Sequence, residues 1–518
     1  MDRYTRETAC WLDLRFDRQA YDFMGKAYDP YQPLFGLRTE DWNAERFLMV
    51  SRWARLLSLL EGLRPGSFLD VGGAEGLVAN LVSQTLGISA VSVDLSHQAA
   101  LRAKEFFQLP TAAADSARLP FADDAFDVVF MSEVIEHLAH PVRSLLEARR
   151  VARLAVIVTT EAFAGDEAAR QEELDERRLS PHMDRSIFCE GDFAKILAPW
   201  RILTGNQCAR LPESIPGDPA QREAVFADSL AVHEIRWPSH GIIAVGLADD
   251  VEPPSNWFSM KTLRSLLQRL EPHEAPAAVL DPDEAMDEES LRMLRCPTCQ
   301  GELSRDGPRK IHCSGCGAEY PVYAGVPKML TPPDAPFAET LRSKLERESP
   351  GLSATDLDDL LSLSERLRFE LPEPLRATSF LKGDAAGWEF QNALRVDDEH
   401  EGGGVVVRAT DRDPMLLSPR LRIPLSRLKR VKVRVACAES QEASEFLQIY
   451  FWSLKKPVWW ELGSAIAEYP TDGVEREIVL DIPPHFHDIP DDELIRLRVD
   501  PGHGPGRYAI RCLELLTE

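Results

Sequence analysis

The stretch Leu69-Asp70-Val71-Gly72-Gly73-Ala74-Glu75-Gly76 constrains this chain more than any other. Ser67 and Phe68 lead into it as a short apolar strand, and Leu77, Val78, Leu81 and Val82 leave it at helical spacing, so its glycines occupy a strand-to-helix turn. Glycine there permits positive φ and lets a ligand approach the main chain without meeting a Cβ. A dinucleotide fingerprint G-x-G-x-x-G would put Gly72, Ala74 and Leu77 at its glycine positions, a poor fit. A P-loop needs Lys followed by Ser or Thr where Leu77-Val78 stands. What fits is D-x-G-x-[GA]-x-G, followed by a second strand, Ala90-Val91-Ser92-Val93, whose closing Asp94 lies 24 positions after Asp70. A carboxylate at that strand end can accept both ribose hydroxyls of an adenosine.

With these residues the sequence resembles the class I S-adenosylmethionine (SAM)-dependent methyltransferases, in particular the small-molecule branch that includes the quinone-biosynthesis enzymes. The resemblance implies an α/β, Rossmann-like domain of seven strands. It continues through Ala113 to Phe121, similar to the family's third strand and loop, and through Phe126 to Leu138, similar to its fourth strand and the start of the next helix. It implies a SAM site built from Asp70, Gly72, Gly73, Gly76, Asp94, Leu95, Asp115, Ser116 and Ser132, with Asp115 meeting the adenine amino group. Ala74 departs from the family's usual glycine and narrows the expected pocket. Methylation of a hydroxyl calls for a base, and His137 and His182 are the candidates because histidine titrates near working pH. The competing role for His137 is capping or packing the fourth helix.

Residues 1–47, rich in aromatics such as Trp11, Phe16, Tyr21 and Trp42, read as a helical cap, and a helix from Ala44 to Leu63 covers the sheet. The methyltransferase-like domain spans 48–250. A fifth strand ends at Thr160, and the hydrophilic stretch Glu161 to Ile187 after it carries Ser180-Pro181-His182-Met183-Asp184-Arg185. Loops at the carboxyl ends of parallel strands are where open α/β sheets bind ligands. Sixth and seventh strands near Trp200 and Gly241 enclose an insertion of some 35 residues, expected to cap the substrate site.

Residues 251–290 are an acidic, Pro-rich linker with one helix. In 291–332, Cys296-x-x-Cys299 and Cys313-x-x-Cys316 are two knuckles with 13 residues between them, which sets four thiolates on tight turns as a structural Zn²⁺ requires. Four cysteine ligands leave no open position, so the metal is read as structural. The flanking residues, Leu294-Arg295-Cys296-Pro297 and Ala318 to Leu330, resemble the small zinc-ribbon proteins that activate RNA and protein methyltransferases. An acidic helical linker, 333–372, precedes short alternating runs over 373–518, among them Val431 to Val435 and Ile495 to Val499, which predict an antiparallel β-sandwich. Its layout resembles jelly-roll carbohydrate-binding modules, and Trp452, Trp459 and Trp460 are candidates for a sugar-stacking platform.

A chain of 518 residues exceeds one core and suggests about three domains. Its formal charge of -25 repels phosphate backbones, so no nucleic-acid partner is expected. No run of 18 apolar residues predicts a membrane span, the start Met1-Asp2-Arg3-Tyr4 lacks signal-peptide character, and the nine cysteines suit a reducing compartment, so a cytoplasmic location is expected. The function expected is SAM-dependent O-methylation of a sugar hydroxyl, with a small-molecule or glycan acceptor. The alternatives are a tRNA or rRNA methyltransferase, a quinone or lipid methyltransferase, and a non-catalytic glycan-binding scaffold. Oligomeric state has no signature in the sequence.

Overall fold

A computed structural model of the chain describes residues 1–17, 42–161, 185–208, 210–231, 241–270, 278–332, 335–369, 379–380, 388–396, 404–409, 412–459, 463–487 and 489–517. They fall into two compact units divided at residues 370/371.

The first unit begins with α1 (Arg3–Phe16) and α2 (Ala44–Leu63), then alternates β1 (Ser67–Val71), α3 (Leu77–Leu86), β2 (Ser89–Asp94), α4 (His97–Phe107), β3 (Thr111–Ala113), β4 (Phe126–Ser132), α5 (Pro141–Val151) and β5 (Ala152–Thr160). It continues with α6 (Glu190–Ile196), β6 (Arg201–Asn206), α7 (Pro219–Leu230), β7 (Ile242–Leu247) and α8 (Met260–Arg269). The seven strands form one sheet in the order β3-β2-β1-β4-β5-β7-β6, with β7 antiparallel to both its neighbours and the other pairs parallel. Both faces are covered, which is why the central strands are apolar almost throughout. Phe68, Val128 and Phe130 point into one cluster with α2, α3, α7 and α8, while Leu69, Val129 and Met131 point into another with α5 and α6.

In the described part of the insertion between β6 and β7, Phe226 of α7 stacks on Phe47 of α2 at 4.2 Å, so this helix covers the sheet; residues 209 and 232–240 of the insertion, expected to cap the substrate site, lie outside the described residues. Residues 162–184, and with them His182, lie outside the described residues.

After the short helix α9 (Glu288–Met293), strands β8 (Leu303–Arg305), β9 (Lys310–Cys313), β10 (Glu319–Tyr323) and β11 (Val326–Pro327) form a four-stranded sheet in the order β11-β10-β9-β8. This cysteine-bearing module adds itself to the free edge of β3. Lys328 pairs in parallel with Ala113, and the Met329 N–H donates to the Ala113 carbonyl at 2.8 Å. Edge strands carry unpaired backbone groups, and the module supplies their partners. Met286, Ile311, Tyr320, Val322 and Met329 share the core of the α5 face, together with Leu345 of α10 (Leu341–Glu348) and Leu357, Leu360 and Leu363 of α11 (Ala354–Leu367).

The second unit is a sandwich of two antiparallel six-stranded sheets. One contains β12 (Ser379–Phe380), β14 (Ala393–Arg395), β15 (Val405–Ala409), β18 (Arg430–Ala438), β21 (Arg476–Asp481) and β23 (Gly506–Leu516). The other contains β13 (Glu389–Gln391), β16 (Met415–Leu417), β17 (Ile423–Pro424), β19 (Ser444–Ser453), β20 (Ser464–Pro470) and β22 (Glu493–Asp500). Val431, Val433 and Val435 of one sheet and Leu447, Ile449 and Phe451 of the other alternate into a single core. Of the candidate sugar-stacking residues, the Trp452 and Trp459 rings meet edge to face at 75°, and Trp460 lies outside the described residues.

Candidate functional site

The turn after β1 is built by its glycines. Gly72, at φ +76°, donates its N–H to the Val93 carbonyl at 2.8 Å, and Gly73 donates to the same oxygen at 3.1 Å. A Cβ on Gly72 would run into Val134, and one on Gly73 would lie 2.8 Å from Asp70 Oδ2. Ala74 adopts φ 46°, a left-handed conformation that favours glycine, and its methyl packs with Phe16 and Ala99. Gly76 plays a different part. At φ +80°, its missing Cβ would meet Ala103 and Leu109, so it permits α3 to lie close to α4.

Above this turn, at the carboxyl ends of β1, β2, β3 and β4, lies a cavity of about 380 Å³. Asp70, Gly72, Gly73, Asp94, Leu95, Asp115, Ser116, Ser132 and His137 all line it; Gly76 does not. The Asp94 carboxylate accepts the N–H of Ala74 at 2.9 Å and that of Ser96 at 2.8 Å. Burial nevertheless pushes its pKa up to about 6. Asp70 is buried more completely and is pushed to about 7, and its Oδ2 has no hydrogen-bond partner among the described residues. Burial raises Asp115 as well, although its Oδ1 accepts the Ala117 N–H at 2.9 Å. Ser116 shares a hydrogen bond with Ser144 at 2.9 Å, and Ser132 one with Thr159 at 2.8 Å. His137 sits in a single 3₁₀ turn, Ile135–His137, while the N-cap of α5 is His140.

Further walls come from residues that, Phe16 of the N-terminal cap excepted, sequence reasoning did not place at the site. Helix α1 lays Tyr4, Thr5, Thr8, Leu12 and Phe16 over the cavity. Four of these recur every fourth residue, a helical stripe disguised by the polar Thr8. Of the N-terminal aromatics, Phe16 touches the cavity and Trp11 does not. The helix is fixed at both ends: the Tyr4 hydroxyl donates to the His137 carbonyl at 2.8 Å, and Asp13 accepts from Ser96 Oγ at 2.7 Å. Helix α2 contributes Met49, Arg52 and Trp53, and Glu133 follows β4.

The cavity's size suits a small-molecule ligand, pockets for which run from about 300 Å³ upward. Its donor and acceptor set suits an adenosine-bearing one. Carboxylates close β2 and follow β3, a glycine turn leaves the main chain approachable, and an Asp70 oxygen and a buried Thr8 Oγ1 have no hydrogen-bond partner among the described residues.

In the edge module the Sγ atoms of Cys296, Cys299, Cys313 and Cys316 lie within 4.8 Å of one another, with Cys296 to Cys316 at 3.6 Å and Cys299 to Cys313 at 3.5 Å. Four sulfurs about 2.3 Å from one ion stand about 3.8 Å apart in a tetrahedron, so the spacing fits a closed metal centre. No helix among the described residues is long and apolar enough to cross a membrane.

Residues 69–156 match the family model of the methyltransferase domain. Among curated proteins, the multifunctional methyltransferase subunit trm112 of Schizosaccharomyces pombe is 28% identical over 138 residues, covering 25% of this chain and 94% of that protein. Among solved structures, a chain of the complex between the Haloferax volcanii Trm112 methyltransferase activator and a methyltransferase is similar at 19% identity and a TM-score of 0.28, covering 39% of this chain and 98% of that one. Magnesium protoporphyrin IX methyltransferase from Synechocystis PCC 6803, with bound S-adenosylhomocysteine (SAH), is similar at 14% identity and a TM-score of 0.29, covering 40% and 89%.

Proposed function

We propose that this SAM-dependent methyltransferase acts on a hydroxyl of a sugar, in a polysaccharide precursor or a glycosylated metabolite. The observation that carries the cofactor half of the reading is the convergence of Asp70, Gly72, Gly73, Asp94 and Asp115 on one cavity. In it Asp94 would hold the ribose, Asp115 the adenine amino group and the Gly72–Gly73 turn the methionine end. Bound SAM supplies an electrophilic methyl on a sulfonium. The chain's own part is positioning and exclusion of water, with α1 forming the cover. His137 lines the same cavity and can take a proton there.

The sugar half rests on the second unit, two six-stranded antiparallel sheets whose sequence resembles jelly-roll carbohydrate-binding modules, and on a charge of -25 that disfavours polyanionic acceptors. The likeness to trm112 favours a second reading, a macromolecular acceptor such as tRNA or protein. In both, the four cysteines hold a structural zinc ion that keeps the module folded against the β3 edge. A donor-consumption assay across nucleotide sugars, isolated glycans, quinone precursors and tRNA separates them: turnover of a glycan or nucleotide sugar supports the sugar reading, and turnover of tRNA alone replaces it.

A further inference from the structure

On the cavity wall, Arg52 of α2 and Glu133 form a loose ion pair, 3.4 Å between Nη2 and Oε2, with side chains 17% and 30% exposed. Two of their buried atoms, Arg52 Nε and Glu133 Oε1, have no hydrogen-bond partner among the described residues. The two side chains have other partners, Cys208 for Arg52 and Thr159 and Gln207 for Glu133, but these two atoms keep hydrogen-bonding capacity at the cavity wall that a polar ligand can use. Glu133 is also held at φ 52°, a left-handed backbone that strains a non-glycine residue, its N–H donating to the Thr159 carbonyl at 2.9 Å.

The position of the pair separates it from the adenosine end. Asp94 closes β2, Glu133 follows β4, and β1 lies between those strands. Two strand spacings of about 4.8 Å therefore put the pair about 10 Å across the sheet from the ribose carboxylate. Together the two side chains carry no net charge, which suits a neutral polar ligand.

We propose that Arg52 and Glu133 clamp a vicinal diol of the acceptor, Arg52 donating to one hydroxyl oxygen and Glu133 accepting the proton of its neighbour, the hydroxyl that is methylated. In the transfer the acceptor oxygen forms the new C–O bond as the S–CH₃ bond breaks, the electron pair stays on sulfur, and the hydroxyl proton passes to Glu133 Oε1. Burial raises the Glu133 pKa against the opposing pull of Arg52, as a base that must receive a proton requires. The clamp rests on the sugar reading and narrows it to a diol.

The test uses the full chain with Glu133→Gln and Arg52→Lys. Calorimetry with SAH should show affinities within about twofold of wild type for both variants. The wild-type SAH complex should bind methyl α-mannopyranoside at least about tenfold tighter than either variant does, on the scale of a lost charge-assisted hydrogen bond. An SAH affinity that falls about tenfold in either variant overturns the clamp, because the pair would then serve the cofactor's methionine end. Binding of catechol that depends on the pair, with no binding of the mannoside, supports the clamp and removes the sugar from it. Pair-independent binding of both probes, or of neither, overturns the clamp and leaves the cofactor reading intact.

Discussion

The Met329 N–H donates to the Ala113 carbonyl at 2.8 Å, two residues before Asp115 enters the cavity wall. The cysteine module and the cavity wall therefore share a strand edge. If zinc supplies the module's folding energy, Cys313→Ser should empty the metal site and free that edge. Hydrogen exchange should then quicken at Ala113 to Ala117 while the core strand β4 stays protected, and elemental analysis should fall from one zinc per chain to none. Unchanged protection at Ala113 to Ala117 in metal-free protein would show that the module docks without supporting the wall.

The buried carboxylates give cofactor binding a signed pH dependence. Burial raises Asp70 to about 7 and Asp94 to about 6 from an ordinary 3.8. With folded-state values above the unfolded one, their stabilising contribution is complete below 3.8 and is lost as pH rises through about 6 to 7. Ligand-free protein should melt progressively lower across that window. Ribose hydroxyls that donate to Asp94 favour its ionised form, so SAH should bind with proton release near pH 6 and more tightly as pH rises. Calorimetry in buffers of different ionisation enthalpy measures the release, and Asp94→Ala should weaken binding about tenfold or more and remove most of it. Binding without proton release near pH 6 would detach Asp94 from the ribose.

Two glycines of one turn should fail differently. Gly72→Ala forces a side chain to φ +76° and into Val134 at the cavity, whereas Gly76→Ala forces one to φ +80° and to 2.8 Å from Ala103, away from it. Backbone strain of about 1–3 kcal/mol is common to both, so both should lower the melting temperature. SAH affinity should fall markedly in Gly72→Ala and little in Gly76→Ala. Equal losses of affinity would mean that the turn binds only through its overall shape.

What the sequence disclosed follows from how locally each feature is encoded. The glycine turn, Asp94, Asp115 and the paired cysteines are fixed by neighbours a few residues away, and the cavity and the sulfur cluster assemble from them. Helix α2, Ala44–Leu63, was legible from its periodic apolar residues. Arg52 and Glu133 were not, because a cation on one helix and a carboxylate 81 positions later become a pair only when the sheet brings β4 beneath α2. The docking of the module on β3 was hidden for the same reason: a main-chain hydrogen bond has no side-chain signature. Helix α7 within the β6–β7 insertion had no separate signal in the sequence, and its Phe226 is buried against Phe47.

Glu147 ties α5 to the module's neighbouring helix α10 and makes that junction acid-sensitive. Its carboxylate accepts from Arg150 at 2.8 Å, Lys344 Nζ at 2.7 Å and the Leu119 N–H at 3.0 Å. Burial opposes ionisation, but these partners win and hold the pKa below 4.5. The stabilisation is thus present above 4.5 and lost as pH falls through the folded-state value. Glu147→Gln should cost about 3 kcal/mol near neutrality by leaving buried cations under-compensated. In urea unfolding the gap to wild type should shrink as the pH is lowered to about 4. A gap that does not change with pH would mean that the glutamate is held neutral.

The sugar reading stands or falls on the second unit. Units with separate cores can be parted, and β15 through β23 bury their own cluster around Val433, Phe451 and Leu497. If that unit binds the acceptor's glycan, it raises the local concentration of a polymeric acceptor at the cavity without touching the reacting atom. A chain ending before residue 371 should therefore show a KM raised about tenfold or more for a long glycan, with kcat retained, while a short acceptor is turned over at nearly the full-length rate. Steady-state kinetics on both chains with a long and a short acceptor decide it. Equal losses on the two substrates would make the sandwich a structural partner of the enzyme and remove the main support for a glycan acceptor.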